Sequence, residues 1–269
     1  MDASRIGFVG AGNMAEALIR GLLGAGAVSS GQIVASDISA DRRSHVAKSH
    51  GVRVTESNTE VMESAEVVVL AVKPQGMGAI VAPLAFASAG RTVISIAAGV
   101  RLAQLSEWLG ADRAIVRAMP NTPALVLAGM TVLCPNTACL KKDVQAATQI
   151  FSAVGDAVVI EREEWLDAVT GLSGCGPGYV FVILDALAEG AVKLGLPRDL
   201  ARRLAVHTVL GAAKLAAETG RHPAELRDMV ASPGGATLAG LEVLERGNLR
   251  AILMAAVEAA TRRSKELSS

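Results

Sequence analysis

Net charge is missing from this chain: 26 Lys and Arg offset 26 Asp and Glu over 269 residues. A chain without a basic excess lacks the field that gathers a polyanion, so no nucleic-acid partner is expected. Cysteine is sparse. Cys134, Cys139 and Cys175 make an odd count without metal-ligand spacing, which suits free thiols in a reducing compartment and argues against a disulfide framework or a bound metal. No basic segment followed by an apolar stretch and a cleavage site precedes the first strand pattern, which opens at Arg5. No uninterrupted apolar run approaches the roughly 18 to 20 residues of a membrane helix. Clear repeats and low-complexity linkers are absent too. The expectation is a cytoplasmic protein with no membrane partner, acting on a small molecule or on another copy of itself.

About half the residues are apolar, so the chain can bury a sizeable core in roughly one or two domains. Its two halves follow different patterns. In the first, "RIGFVG", "QIVASD", "EVVVLAV", "TVISIAA" and "AIVRAMP" are short β-branched runs separated by helical stretches. Such runs predict parallel strands covered on both faces, a doubly wound α/β sheet of Rossmann type over residues 1–163. Past Val158–Glu163 that pattern stops, and residues 164–269 read as helices. Pro177–Gly195 is apolar around most of its circumference, which predicts burial on several sides. So much apolar helix surface suggests completion by a second subunit, with a compact monomeric bundle as the alternative.

"GAGNMA" places Gly10, Gly12 and Ala15 in the G-x-G-x-x-A pattern between a strand and a helix. The first glycine permits the tight turn, the second lets a pyrophosphate approach the backbone, and the alanine allows close packing. The phosphates would then meet unpaired helix N–H groups. At the end of the second run, Asp37 can accept the ribose hydroxyls of NAD, whereas Arg42 and Arg43 can pair with the extra phosphate of NADP. The two signals oppose each other. A second glycine turn, "SPGGAT" at Ser232–Thr237, opens another helix far from the first, either as a plain start capped by Ser232 or as an anion grip.

"AVKPQ", "SIAAGV", "RAMPNTPA", "GLSGCGPGYVF" and "SPGGAT" followed by "LEVLE" occur in this order with no large insertion. Together they make the chain resemble the pyrroline-5-carboxylate reductases, across almost its whole length. The resemblance implies reduction of a cyclic imine, L-1-pyrroline-5-carboxylate, to L-proline by NADPH, with NADH as the alternative. It also implies a homodimer through the helical domain, with a ring of dimers above it. Cofactor contacts carry over to Val9, Gly10, Ala11, Gly12, Asn13 and Met14, to Ser36, Asp37 and Asn58, to Ala71, Val72, Lys73 and Pro74, and to Ala97, Ala98 and Asn121. Substrate contacts carry over to Glu163, Ser232, Gly234, Gly235, Ala236 and Thr237. Where many members read "LSGSGPAY", this chain has Cys175 and Gly178, a change expected to loosen packing.

Reducing a C=N bond needs a hydride donor, a fixed ring and a polarised carbon. Backbone amides at "SPGGAT" can hold the substrate carboxylate, and the Thr237 hydroxyl can guide the proton at the ring nitrogen, which makes it the candidate catalytic residue. Asn121 would close the nicotinamide end, and Lys73 is either a strand-end contact or an idle rim residue. Glu163 either orients substrate or belongs to a solvated acidic loop. His45, His50, His207 and His222 lie outside the signature stretches and read as surface or helix-packing residues. A β-hydroxyacid dehydrogenase would need a lysine base on the helix that "GCGPGYVFVILDAL" opens, which has none before Lys193. A non-catalytic NAD(P)-binding regulator is the remaining rival.

Overall fold

Successive side chains of a strand leave on opposite faces, so a run without polar positions needs cover on both. The computed structural model, which describes residues 5–267, meets that need at the strand Val67–Leu70 (β4), all of whose residues are buried. Val67 and Val69 join an apolar cluster with Leu18, Ile19 and Leu22 of helix α1 (Asn13–Gly24) and Ile150 and Phe151 of a later helix. Val68 and Leu70 join a separate cluster with Val61 and Met62 of Asn58–Ser64 (α3) and Leu105 and Leu109. Two cores therefore sandwich one sheet.

The other strands are β1 (Ile6–Val9), β2 (Ile33–Ser36), β3 (Arg53–Thr55), β5 (Thr92–Ser95), β6 (Ala114–Met119), β7 (Gly129–Pro135) and β8 (Gly155–Val159). Their order is β3-β2-β1-β4-β5-β6-β7-β8. All neighbouring pairs are parallel except β6 with β7. The first six reproduce the order of doubly wound dinucleotide folds, whose ligands lie beyond the carboxyl ends of the strands where the order reverses, here between β1 and β4. β3, β7 and β8 come in addition to the runs legible in sequence. β3 and β8 lie at the two sheet edges and leave residues exposed, so neither needs a continuous apolar run.

Helices α2 (Ala40–His50), α4 (Met77–Val81), α5 (Leu102–Leu109) and α6 (Lys141–Ser152) complete the wrapping of the sheet. After β8 come α7 (Trp165–Val169), α8 (Gly176–Lys193), α9 (Arg198–Thr219), α10 (Pro223–Met229), α11 (Ala236–Arg246) and α12 (Leu249–Leu267). The chain forms two compact units. One runs to Gly174 and includes the residues from Ala260 on, and the other is Cys175–Ala259. The return of α12 to the first unit is fastened where the Ser264 hydroxyl donates to the buried Asp167 carboxylate at 2.7 Å.

One sequence expectation needs correction in the second unit. Of the residues of α8 only Ala188 is buried, and Phe181 and Val182 are 64% and 70% exposed, so burial on several sides does not hold within one chain. α8 and α9 share a seam through Ala188, Ala201 and Ala205, which covers one stripe of each helix and leaves their other faces exposed within one chain. The run Trp165–Lys193, 29 residues with a mean hydropathy of 1.4 in its most apolar window, is also long and apolar enough to cross a membrane by length and composition. Within this chain a methyl at Gly178 would meet nothing within 4 Å.

Candidate functional site

The chain leaves β1 through Gly10, whose φ of +92° is open to glycine and strained for other residues. A Cβ there would lie 2.7 Å from the Ala71 carbonyl oxygen, so the turn and the end of β4 touch backbone to backbone. Gly12 caps α1 with no side-chain hydrogen bond, and a Cβ on it would meet nothing within 4 Å. The first turn of α1 thus has free amides at an open approach, as a pyrophosphate requires. Ala15 is fully buried against the sheet, where the third small residue of the pattern belongs.

Hydrogen bonds draw the other cofactor candidates to this loop. The Gly10 amide donates to Ser36 O at 2.9 Å, and the Ala71 amide to Val9 O at 2.8 Å. The Ser36 hydroxyl donates to Asn58 Oδ1 at 2.7 Å. Asp37 Oδ2 accepts from the Ala11 amide at 3.0 Å and its Oδ1 from the Ser39 amide at 2.9 Å, so the carboxylate braces the loop from behind. Ala71, Val72, Lys73 and Pro74 follow β4, and Ala97 and Ala98 follow β5, with the intervening Ile96 amide bonded to Leu70 O at 3.2 Å. Lys73 is exposed. Asn13 and Met14 open α1.

Two candidates prove to be fasteners. The Asn121 side chain donates to Ser173 O at 3.0 Å and accepts from the Met130 amide at 2.9 Å, which occupies both ends of its amide. Glu163 Oε1 accepts from the Leu102 amide at the start of α5 and from Arg117 Nη1, each at 2.7 Å. Arg117 is 5% exposed, so its guanidinium needs a carboxylate beside it, and Glu163 is not a solvated loop residue. Burial first, and the Glu163 charge second, push the neighbouring Cys134 thiol up to about 11, too high for a thiolate nucleophile near neutrality.

A cluster unexpected from sequence lies behind the glycine loop. Glu16 of α1 takes the Arg42 guanidinium on Oε2, and on Oε1 it takes His45 Nε2 at 2.9 Å and His50 Nε2 at 3.2 Å. Burial raises the Glu16 carboxyl, but the hydrogen bonds from His45, His50 and Arg42 outweigh it and hold the group at about 2, below its ordinary 4.5. The two histidines are therefore carboxylate partners. A charged residue in the first turn of α1 was the only signal in sequence, just as a lone arginine within "AIVRAMP" was the signal for Arg117.

In the second unit, Gly234 has φ +68° with open space around it, and Gly235 caps α11 without a side-chain hydrogen bond. The plain start capped by Ser232 is therefore not what forms. The Ser232 hydroxyl instead lies against Gly235, where a Cβ would be 2.3 Å from Oγ. Ala236 and Thr237, in the first turn, are exposed. Gly234, Gly235 and residues of α10 and α11, Arg227 and Glu242 among them, line a groove of ≈ 630 Å³.

A doubly wound sheet with an uncapped glycine loop at its switch point, joined to a helical unit, defines an NAD(P)-binding oxidoreductase of Rossmann type. Pyrroline-5-carboxylate reductase of Arabidopsis thaliana is 44% identical over 268 residues, 99% of this chain and 96% of that protein. The chain belongs to the pyrroline-5-carboxylate reductase family. Residues 163–267 match the family model described as pyrroline-5-carboxylate reductase dimerisation, and residues 5–99 the model described as NADP oxidoreductase, coenzyme F420-dependent. The solved pyrroline-5-carboxylate reductase of Coxiella burnetii superposes with a TM-score of 0.95 at 40% identity, covering 100% of both chains. That of Plasmodium falciparum, solved with NADP bound, superposes at 0.89 and 32% identity, again over 100% of both. The dimerisation match accounts for the apolar surface of α8 and α9, membrane-length run included: it is the covering of a partner chain that such a region lacks when alone.

Proposed function

We propose that this protein reduces L-1-pyrroline-5-carboxylate to L-proline, the last step of proline biosynthesis, with NADPH as donor and NADH as the alternative. The observation that carries the reading is the second uncapped helix start, at α11, in a chain that already has one for a dinucleotide. The residues at the first start fit a dinucleotide, because a Cβ at Gly10 would collide with Ala71 and the space before Gly12 is open. When bound there, a reduced nicotinamide supplies the hydride that adds to the imine carbon.

The chain's own residues do the rest. Amides of the first turn of α11, which have no intrahelical partner, donate to the substrate carboxylate, and the helix dipole favours its charge by about 0.3–1 kcal/mol. Gly234 and Gly235 keep that approach clear, and the Ser232 hydroxyl, folded against Gly235, adds a donor. Thr237 presents its hydroxyl to the ring nitrogen and relays to it a proton taken from water as the C=N pair becomes a single bond. Glu163 and Asn121 act by holding α5, β6 and β7 in place. Cofactor binding belongs to residues 1–163, and substrate anchoring and dimerisation to residues 164–269, in a cytoplasmic homodimer with a ring of dimers as its higher assembly.

Steady-state reduction of pyrroline-5-carboxylate with NADPH and then NADH tests the reading. Turnover with at least one nucleotide is expected; none with either would leave a non-catalytic binder. A stable, active particle of 27.6 kDa in dilute solution would remove the dimer.

A further inference from the structure

Asp37 and the two arginines after it point to opposite cofactors in sequence, and in the structure their charges are already committed. The Ala11 peptide of the glycine loop is held on both sides, its N–H by Asp37 and its carbonyl by Arg42 Nε. Arg42 also donates to Glu16, with both side chains about three-quarters buried. Arg43 is occupied separately: it donates to the carbonyls of Asp37 at 2.8 Å and Ile38 at 3.2 Å and lies 3.5 Å from Glu56. The carboxyl end of β2 is where a dinucleotide fold receives the adenosine ribose, and an arginine there accommodates a 2′-phosphate. Arg42 stands in the first turn of α2, beside that end, with its charge shared with a carboxylate of α1.

We propose that Glu16 is a specificity-determining residue, which competes with the cofactor's 2′-phosphate for Arg42 and so sets the preference between NADPH and NADH. This rests on the dinucleotide reading above. A guanidinium shared with a carboxylate has less charge and fewer donors to offer a phosphate, and the carboxylate's own negative charge opposes a phosphate drawn to the same guanidinium. NADH carries only a neutral hydroxyl at that position, so the contest for Arg42 leaves its binding nearly unchanged. His45 and His50 hold Glu16 from the side away from Arg42, on its other oxygen, and fix the carboxylate where it competes. Glu16 thus positions Arg42 and touches no reacting atom.

The test is direct titration of the full-length protein with NADPH and with NADH in the absence of imine, read by nicotinamide fluorescence. Glu16→Gln is expected to tighten NADPH about tenfold, the effect of removing one charge-assisted contact, and to leave NADH within about twofold. Adding Arg42→Ala to Glu16→Gln is expected to erase the gain. Glu16→Asp, which shortens the reach to Arg42 while keeping the charge, is expected to move the ratio in the same direction by less, and serves if the glutamine variant does not fold. Equal shifts for both nucleotides would make Glu16 a mere support of the loop and overturn the proposal. Unchanged or weaker NADPH binding in the variants would overturn it as well. Failure of the unmodified protein to bind either nucleotide would defeat the dinucleotide reading itself, an outcome distinct from these.

Discussion

The two uncapped helix starts of this chain share a local design and differ in their surroundings. Each follows a glycine with positive φ, Gly10 at +92° and Gly234 at +68°, and each has a glycine cap that makes no side-chain hydrogen bond. Around the first, Val9, Ala11 and Ala15 are fully buried and a Cβ on the turn glycine would strike the neighbouring strand. Around the second, nothing lies within 4 Å of the same position, and Ala236, Thr237 and Leu238 are exposed. The first loop is over-determined by two packed cores and a ring of backbone hydrogen bonds. The second keeps its shape through local backbone alone, in a unit whose apolar faces await a partner chain. One start is thus part of the core, and damage to it is felt throughout the unit; the other is a binding feature carried on a surface.

Substitutions at matched positions put that contrast at risk. Gly10→Ala is expected to have the largest effect, since it combines positive-φ strain with the Ala71 contact: about 2–4 kcal/mol of stability and roughly a hundredfold in nucleotide affinity. Denaturant unfolding and NADPH titration measure both, and a variant with unchanged midpoint and affinity would show that the loop is not braced as described. Thr237→Ala is expected to lower turnover of pyrroline-5-carboxylate about tenfold, the loss of one transition-state hydrogen bond, with nucleotide affinity unaltered. Undiminished turnover would remove Thr237 from the chemistry. Gly234→Ala meets strain but no clash, so the unfolding free energy should fall by no more than about 1–2 kcal/mol while KM for the imine rises about fivefold. A collapse as severe as at Gly10 would erase the contrast between the two starts.

A further prediction concerns acid. Because the folded-state pKa of Glu16 is depressed from 4.5 to about 2, its contribution to stability is fully present above 4.5 and is lost as pH falls through about 2. Glu16→Gln should therefore flatten the fall in unfolding free energy across that window relative to the unmodified protein. Parallel curves would mean that the His45, His50 and Arg42 contacts contribute nothing net.

Much of the site was legible because it is written in local rules. The stretch "VVVLAV" within "EVVVLAV" has no polar position and suits a strand covered on both faces, and "GAGNMA" after another such run suits a tight turn into an open helix start. β3 and β8 were not legible, since edge strands need little apolar pattern and carry exposed residues. The outward apolar face of α8 is exposed within one chain although its composition predicts burial, because composition registers that a surface must be covered without saying by which chain.

By itself the sequence determined element types, the positions of the two glycine turns and, through motifs kept in order, the chemistry they suit, since periodicity and backbone freedom act over a few residues. Only the tertiary structure decided what the charged and amide side chains do. Arg117 with Glu163, Asn121 with Ser173, and Glu16 with Arg42, His45 and His50 are joined across long stretches of chain. Each of these groups had several partners consistent with its type, and burial, which makes an unpaired charge or amide costly, selected one.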